Sequence, residues 1–313
     1  MPTVVLLGPQ RYQPTLAEAF DRVQPTGPVA AVTAGWEDRE DEIDELTEHL
    51  GRDVINLQLH QRCEQVFARD AEFLEAWRVR RLRLRRCREL YRQRLGDLVR
   101  SVHALERRRH DDLVQADWED SLRIIRELDD RQLRRVTEIH DEFEERMRPQ
   151  EREAVVVQHE RIAELISGCG SITFAGGHVA VLRNRLRLFD IAGLIEERPL
   201  FAWSAGAMCA TERIVIYHDS APLSSGHPQV LEAGLGLCPG IVALPHASRR
   251  LHLSDVRRVR RFAARFAPQT CIALDDASGM IWDGSEWDLL GDGARRLRGS
   301  GQVTEVQLVE GAA

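Results

Sequence analysis

The 313-residue chain has no apolar run close to the roughly 20 residues that a membrane-spanning helix needs, so we expect no contact with a membrane. Its first ten residues, MPTVVLLGPQ, lack a basic segment and turn to Gly-Pro after a handful of apolar residues. This pattern is typical of a first β-strand rather than of a signal peptide.

Cysteine and histidine lack the spacings that disulfide frameworks and metal sites require. The six cysteines include no CxxC pair, so the sequence predicts buried free thiols in a reducing cytoplasm. His218, His227, His246 and His252 show no compact ligand spacing, and we expect no metal and no other cofactor. Cys209 is expected to be a core thiol within a helix rather than a nucleophile.

Charge is modest overall but uneven along the chain. A net charge of −7 argues against a nucleic-acid partner, and 43% hydrophobic residues suffice for a substantial core. Glycine and proline are nearly absent from about 61 to 147, where residues 78–109 hold 13 arginines against 3 acids and residues 111–145 hold 13 acids against 5 arginines. We predict an inserted α-helical hairpin over 61–149 that turns near His110–Asp112 and is closed by attraction between a basic and an acidic arm.

Three roles for this hairpin stay open. It is favoured as a structural element, with a homodimer interface or a lid over the site as further roles. An arginine-rich nucleic-acid arm is disfavoured, because few aromatic residues interleave the arginines and the acidic arm would compete with phosphate.

Strand-like and helical patterns alternate over 1–60 and 150–313 on either side of the insertion. The alternation predicts an α/β core domain with a doubly wound, mainly parallel sheet. The segments FAGG, AWS, LPH and ALDD all end predicted strands. Because ligands bind at the carboxyl ends of parallel strands, we expect their polar residues to gather at one sheet edge.

The segment FAWSAGAMCA places Ser204 between an apolar strand and three small residues. A nucleophile elbow requires small residues two before and two after the nucleophile, and here these are Ala202 and Gly206. An ordinary strand–helix junction is the alternative.

A serine nucleophile needs a base and a group that orients the base. His246, in ALPHASRR, follows a predicted strand and is the candidate base. Asp276 is the candidate third member, with its neighbour Asp275 as the alternative, since successive residues of an extended chain point opposite ways. A satisfied polar histidine and a solvated loop are the simpler interpretations of these positions.

Gly176 and Gly177, in FAGGH, can bring backbone N–H groups close to a reacting carbonyl. Together with the N–H of Ala205 they are the candidate oxyanion hole. Gly-Gly also suits any tight turn.

The order ITFAGG, WSAGAM, GLGLCPGIVALPH, CIALDD resembles the dipeptidase E and cyanophycinase family of serine peptidases, over about residues 1–60 and 150–290. The resemblance implies a flavodoxin-like, class I glutamine-amidotransferase-like fold. It also implies Ser204 as nucleophile, His246 as base and Asp276 as the acidic member, with oxyanion donors at Gly177 and Ala205.

Several positions depart from the family pattern. Trp203 stands where a small residue is usual, and His178 where Asn or Asp is usual; both are candidate substrate-binding residues. The Trp203 indole is expected either to narrow the pocket or to pack behind the strand. The resemblance implies an aspartyl acyl side, whose carboxylate needs a cation. The candidates are Arg249, Arg250, Arg183 and Arg185, among which the sequence does not choose. Arginines on solvated helix faces are the simpler interpretation of these positions.

Two functions follow from these residues. One is a serine-type hydrolase that cleaves a peptide or isopeptide bond in a peptide or small-molecule substrate through an acyl-enzyme. The alternative is a non-catalytic binding or regulatory module that retains the fold and uses the hairpin as its interaction surface.

Overall fold

The computed structural model describes residues 2–109, 111–217 and 227–306. Its thirteen described strands are β1 Val4–Leu7, β2 Val29–Val32, β3 Val54–Asn56, β4 Ser171–Phe174, β5 Leu200–Trp203, β6 Arg213–Ile216, β7 Gln229–Ala233, β8 Ile241–Pro245, β9 Thr270–Leu274, β10 Ser278–Trp282, β11 Trp287–Gly291, β12 Arg295–Leu297 and β13 Val303–Glu305.

The described α-helices are α1 Leu16–Val23, α2 Asp44–Leu50, α3 Leu59–Arg69, α4 Ala71–Glu106, α5 Asp112–Met147, α6 Glu153–Ser167, α7 Val179–Leu188, α8 Ile191–Ile195, α9 Ala205–Ala210, α10 Ala247–Leu251 and α11 Val256–Phe266. Within the described part of the chain, none of them is long and apolar enough to cross a membrane.

A mainly parallel sheet of seven strands forms the centre, in the order β11-β10-β1-β5-β4-β2-β3. Strands β3, β2, β4, β5 and β1 run parallel, and β10 and β11 join at one edge in antiparallel register. Strands β1, β2, β4 and β5 are buried along their whole length, as parallel strands covered on both faces must be.

Strands β8 and β9, which carry LPH and ALDD, do not extend this sheet as the sequence pattern predicted. They pair in parallel with each other in a second sheet, ordered β13-β12-β9-β8. The reason is that β10 occupies the free edge of β1. Neighbouring residues of β8 point to opposite faces and so pack into two different cores. Ala243 packs into the core of the large sheet, and Val242 packs beneath the hairpin.

The helices α4 and α5 form the predicted hairpin, although charge attraction between the arms is not what closes it. Across the two arms, Arg83–Glu142 is the single ion pair among the described residues. The seam is instead apolar, with Tyr91, Leu95 and Trp118 buried in one cluster. Helix α4 ends at Glu106 and α5 begins at Asp112, so the connection lies at the predicted turn, of which His110 is outside the described residues.

Not all of the regularly spaced apolar residues of α4 face this seam. Leu82 and Leu90 follow the same three- and four-residue steps as the buried positions, yet their side chains are 52% and 39% exposed. A long helix that is covered on one side leaves such residues at the surface.

A buried polar network fixes the hairpin to the second sheet. The Arg265 guanidinium donates two hydrogen bonds to the Asp129 carboxylate, at 2.7 and 2.8 Å, and one to the Tyr91 hydroxyl at 3.0 Å. The Tyr91 hydroxyl donates to Asp129 at 2.7 Å and accepts from the Val230 N–H at 3.1 Å. Helices α4, α5 and α11 therefore pack as one body.

Candidate active site

Ser204 stands at the sharp turn from β5 into α9, as the sequence predicted. Its backbone has φ 50° and ψ −114°, a conformation that a residue with a Cβ rarely adopts and that is concentrated at functional sites. A Cβ on Gly206 would lie 2.1 Å from the carbonyl oxygen of Phe174, so the turn tolerates only glycine there. Ala202 is fully buried, paired with Phe174 of β4 and Leu6 of β1.

A cavity of about 450 Å³ opens at this turn. Its walls carry several of the predicted site residues, namely Gly177, His178, Ser204, Ala205, His246 and Arg250. These residues come from segments far apart in the chain, and the ends of β4, β5 and β8 bring them together.

His246 follows β8 in a left-handed conformation, with φ 59° and ψ 30°. Its backbone N–H donates to the carbonyl of Leu274 at 2.9 Å, which continues the β8–β9 register and sets the imidazole at the cavity wall. Ser204 and His246 share the cavity, but no hydrogen bond joins them in the described structure. Catalytic hydrogen bonds are often long without substrate.

Burial lowers the pKa of His246 below its ordinary value, and the nearby Arg250 acts in the same direction. The negative charge of Asp276 opposes both effects. The imidazole is therefore neutral at pH 7, which is the form that can accept a proton.

The two candidate carboxylates differ in their surroundings. Both oxygens of Asp275 are engaged: they accept from the backbone N–H and hydroxyl of Ser248, at 2.8 and 2.9 Å, and from the Arg295 guanidinium. Asp276 has one buried oxygen, Oδ1, without a hydrogen-bond partner among the described residues. A buried carboxylate oxygen normally accepts a hydrogen bond. Of the two carboxylates, Asp276 is therefore the one with an oxygen free to accept from a further donor.

The turn after β4 lies directly against the serine. A Cβ on Gly176 would be 3.0 Å from the Cβ of Ser204. Gly177 has φ +111°, and its N–H has no backbone acceptor within the described segments, whereas the next N–H, of His178, donates to Gly35 at 2.7 Å. Ala205 is the first residue of α9, so its N–H is outside the helical hydrogen-bond ladder. Gly177 and Ala205 consequently supply two backbone N–H groups to the walls of the cavity that Ser204 lines.

Besides Gly176, Asp275 and Asp276, whose surroundings are given above, four sequence candidates do not line the cavity. Trp203 packs on the opposite face of the large sheet, beside Phe201, because neighbouring strand residues point to opposite faces. Arg249 is exposed beyond the cavity wall. Arg183 is held by the carbonyls of Ala233 and Gly234, and Arg185 pairs with Glu64.

Sequence reasoning missed two polar side chains of the wall, those of Arg88 and Tyr217. Arg88 of α4 reaches the cavity, so the hairpin contributes directly to the candidate site. Tyr217 is buried beside it, and its hydroxyl donates to the carbonyl of Pro245. No local pattern marks Arg88 among the many arginines of α4; the periodicity shows only that it lies on a helix.

The fold defines a mixed α/β protein with a mainly parallel seven-stranded sheet. Neither a protein-family model nor a curated protein matches the sequence. Among solved structures, the chain is similar to the crystal structure of a peptidase from an acI-B1 Actinobacterium, with a TM-score of 0.50 and 14% identity. The match covers 99% of this chain and 97% of that one, and at this identity it shows a shared fold.

Proposed function

We propose that the protein is a serine-type hydrolase that cleaves a peptide or isopeptide bond. One observation carries the proposal: Ser204 sits at a strained elbow and opens into the same cavity as a neutral His246. A nucleophile, a base and two N–H donors in one cavity are the parts that acyl transfer requires.

The mechanism follows from these positions. His246 accepts the Ser204 hydroxyl proton as Oγ attacks the substrate carbonyl carbon, and the N–H groups of Gly177 and Ala205 stabilise the oxyanion. The tetrahedral intermediate collapses, the C–N bond breaks, and the imidazolium gives its proton to the leaving amine. Water then attacks the acyl-enzyme with His246 as base, which releases the acid and restores Ser204. Asp276 orients the imidazole and stabilises its charged form.

Two likenesses support a peptide substrate. The solved structure of similar fold is that of a peptidase. The chain's own motifs resemble the dipeptidase E and cyanophycinase family, which implies an aspartyl acyl side; Arg88 and Arg250 are the cations in the cavity that its carboxylate would meet. A cytoplasmic location suits the six cysteines, which are buried and unpaired.

The decisive experiment compares the unaltered chain with Ser204→Ala. A panel of α-aspartyl dipeptides, β-aspartyl-arginine and longer peptides is incubated with each protein, and new termini are detected by mass spectrometry. We expect Ser204→Ala to lose hydrolysis and keep its melting temperature. Ser167→Ala, on an exposed serine at the end of α6, is the matched control and retains activity.

Equal turnover by Ser204→Ala would refute the proposal. Turnover of no peptide by the unaltered chain, with retained ligand binding, would favour the binding module instead.

A further inference from the structure

A second cavity, of about 620 Å³, lies between α4 and α7. It adjoins the Ser204 cavity, because Arg88, His178 and Ala180 line both. Its walls hold six arginines and two glutamates, an excess of positive charge in a chain whose net charge is −7.

Four of these arginines form a stripe on one face of α4: Arg78, Arg81, Arg85 and Arg88. Their spacing of three, four and three residues keeps them in line. Two have distant ion-pair partners, Glu75 at 3.7 Å and Glu89 at 3.8 Å, and exposed pairs of this kind are weak. Arg81 forms no ion pair or hydrogen bond with any residue that the structure describes. Arg88 donates from its Nε to the side-chain oxygen of Gln229 at 3.3 Å, which is a neutral partner. Within the described part of the chain, no arginine of the stripe therefore has a close ion pair that an incoming anion would have to displace.

Buried cations lie deeper in the same cavity. The side chains of Arg80 and Arg185 are nine-tenths or more buried, and the Nε of each has no hydrogen-bond partner among the described residues. Arg80 stacks 3.8 Å over the Trp77 ring. Burial, with the nearby Arg187 adding to it, lowers the pKa of Arg80 to about 10, so the group stays charged at pH 7.

Arg80 also donates to the side-chain oxygen of Asn184 at 3.1 Å, and Arg185 donates to Glu64 at 3.4 Å. Glu232 is a buried carboxylate in the same cavity. The six arginines still exceed the two glutamates of the walls, and this excess of positive charge favours an incoming anion.

We propose that this cavity, which we call the arginine groove, binds acidic side chains of a peptide substrate whose scissile bond lies at Ser204. The inference rests on the proposed function and names its substrate class. Ten residues of helix from Arg78 to Arg88 span about 15 Å at 1.5 Å per residue. An extended peptide rises about 3.3 Å per residue, so the groove holds four or five residues beyond the Ser204 cavity.

A peptide fits the groove better than a nucleic acid does. The groove also has apolar walls, at Phe67, Leu74 and Leu84, which suit the methylene groups of glutamate. It shares three lining residues with the cavity of a candidate hydrolytic serine, and its described walls carry no exposed ladder of aromatic residues on which bases could stack. The arginine groove thus extends the active-site cleft.

The test measures binding without turnover. Two fluorescent hexapeptides, of four glutamates or four glutamines followed by two alanines, are titrated into the full chain carrying Ser204→Ala, and anisotropy is read. We expect the glutamate peptide to bind at least tenfold more tightly than the glutamine peptide. Adding Arg81→Gln and Arg85→Gln should weaken glutamate-peptide binding about tenfold.

The matched control adds Arg86→Gln and Arg94→Gln, which remove the same charge from exposed arginines of α4 outside the groove. It should bind the glutamate peptide as tightly as the parent. Equal binding of the two peptides, or equal loss in both double variants, would overturn the proposal. Tighter binding of a thymidine hexanucleotide with the same dependence on Arg81 would also overturn it. Because no hydrolysis is needed, a negative result for peptidase activity leaves this measurement intact.

Discussion

Gly206→Ala is the sharpest structural test of the elbow. The added Cβ would lie 2.1 Å from the carbonyl oxygen of Phe174, 2.7 Å from its carbonyl carbon and 2.9 Å from its Cβ. That carbonyl cannot retreat freely, because it belongs to β4, whose Phe174 pairs with both Val32 and Ala202. The turn itself must move, and Ser204 moves with it.

Two effects set the size of the change. Overpacking against rigid backbone costs about 3 kcal/mol at the upper end of its usual range. Replacing a helical glycine by alanine returns about 1 kcal/mol. We therefore expect Gly206→Ala to lower the free energy of unfolding by about 2 kcal/mol, and a displacement of Ser204 near 1 Å to reduce kcat/KM about 100-fold.

The assay pairs urea unfolding with peptide hydrolysis. Gly96→Ala is the matched control: its Cβ would meet only the Arg100 guanidinium at 3.8 Å, in the middle of α4. The same substitution there should raise stability by about 1 kcal/mol and leave activity unchanged. If Gly206→Ala proved as stable and as active as the parent, the close approach of Gly206 to the Phe174 carbonyl could not be what holds Ser204 in place.

Further predictions concern charge. Since the pKa of His246 is lowered and its neutral form is the base, kcat/KM should rise through an inflection below pH 6.5 and be flat above pH 7; an inflection above 6.5 would contradict the assignment. Asp276→Asn should reduce kcat/KM at least tenfold and move that inflection to lower pH, because it removes the charge that raises the pKa of His246. Asp275→Asn should change kcat/KM and the pH of the inflection less than Asp276→Asn does. A larger effect of Asp275→Asn would assign the orienting role to Asp275. Arg265→Gln leaves the Asp129 carboxylate buried without its partner and should lower the free energy of unfolding by about 3 kcal/mol in urea; an unchanged midpoint would show that the network does not secure the hairpin.

Much of the candidate site could be predicted from short segments of the sequence. Small residues around Ser204, a histidine after one strand and a glycine pair after another are short-range requirements, and Ser204, His246 and Gly177 do line one cavity. The sequence left two positions open for the Trp203 indole, and strand alternation, rather than adjacency to the serine, decides which face of the sheet it occupies. The sequence also left open whether Asp275 or Asp276 orients the histidine. The difference between them depends on Ser248 and Arg295, which come from other segments and bind Asp275.

The sequence by itself determined the α/β alternation, the helical hairpin and the elbow, because periodicity and steric demand act between residues close in the chain. Only the tertiary structure decided that β8 and β9 form a separate sheet and that the hairpin seam is apolar rather than ionic. It alone placed Arg88 in the wall of the cavity that Ser204 lines. These features depend on which surfaces from distant parts of the chain are buried against one another. No local sequence pattern specifies that pairing.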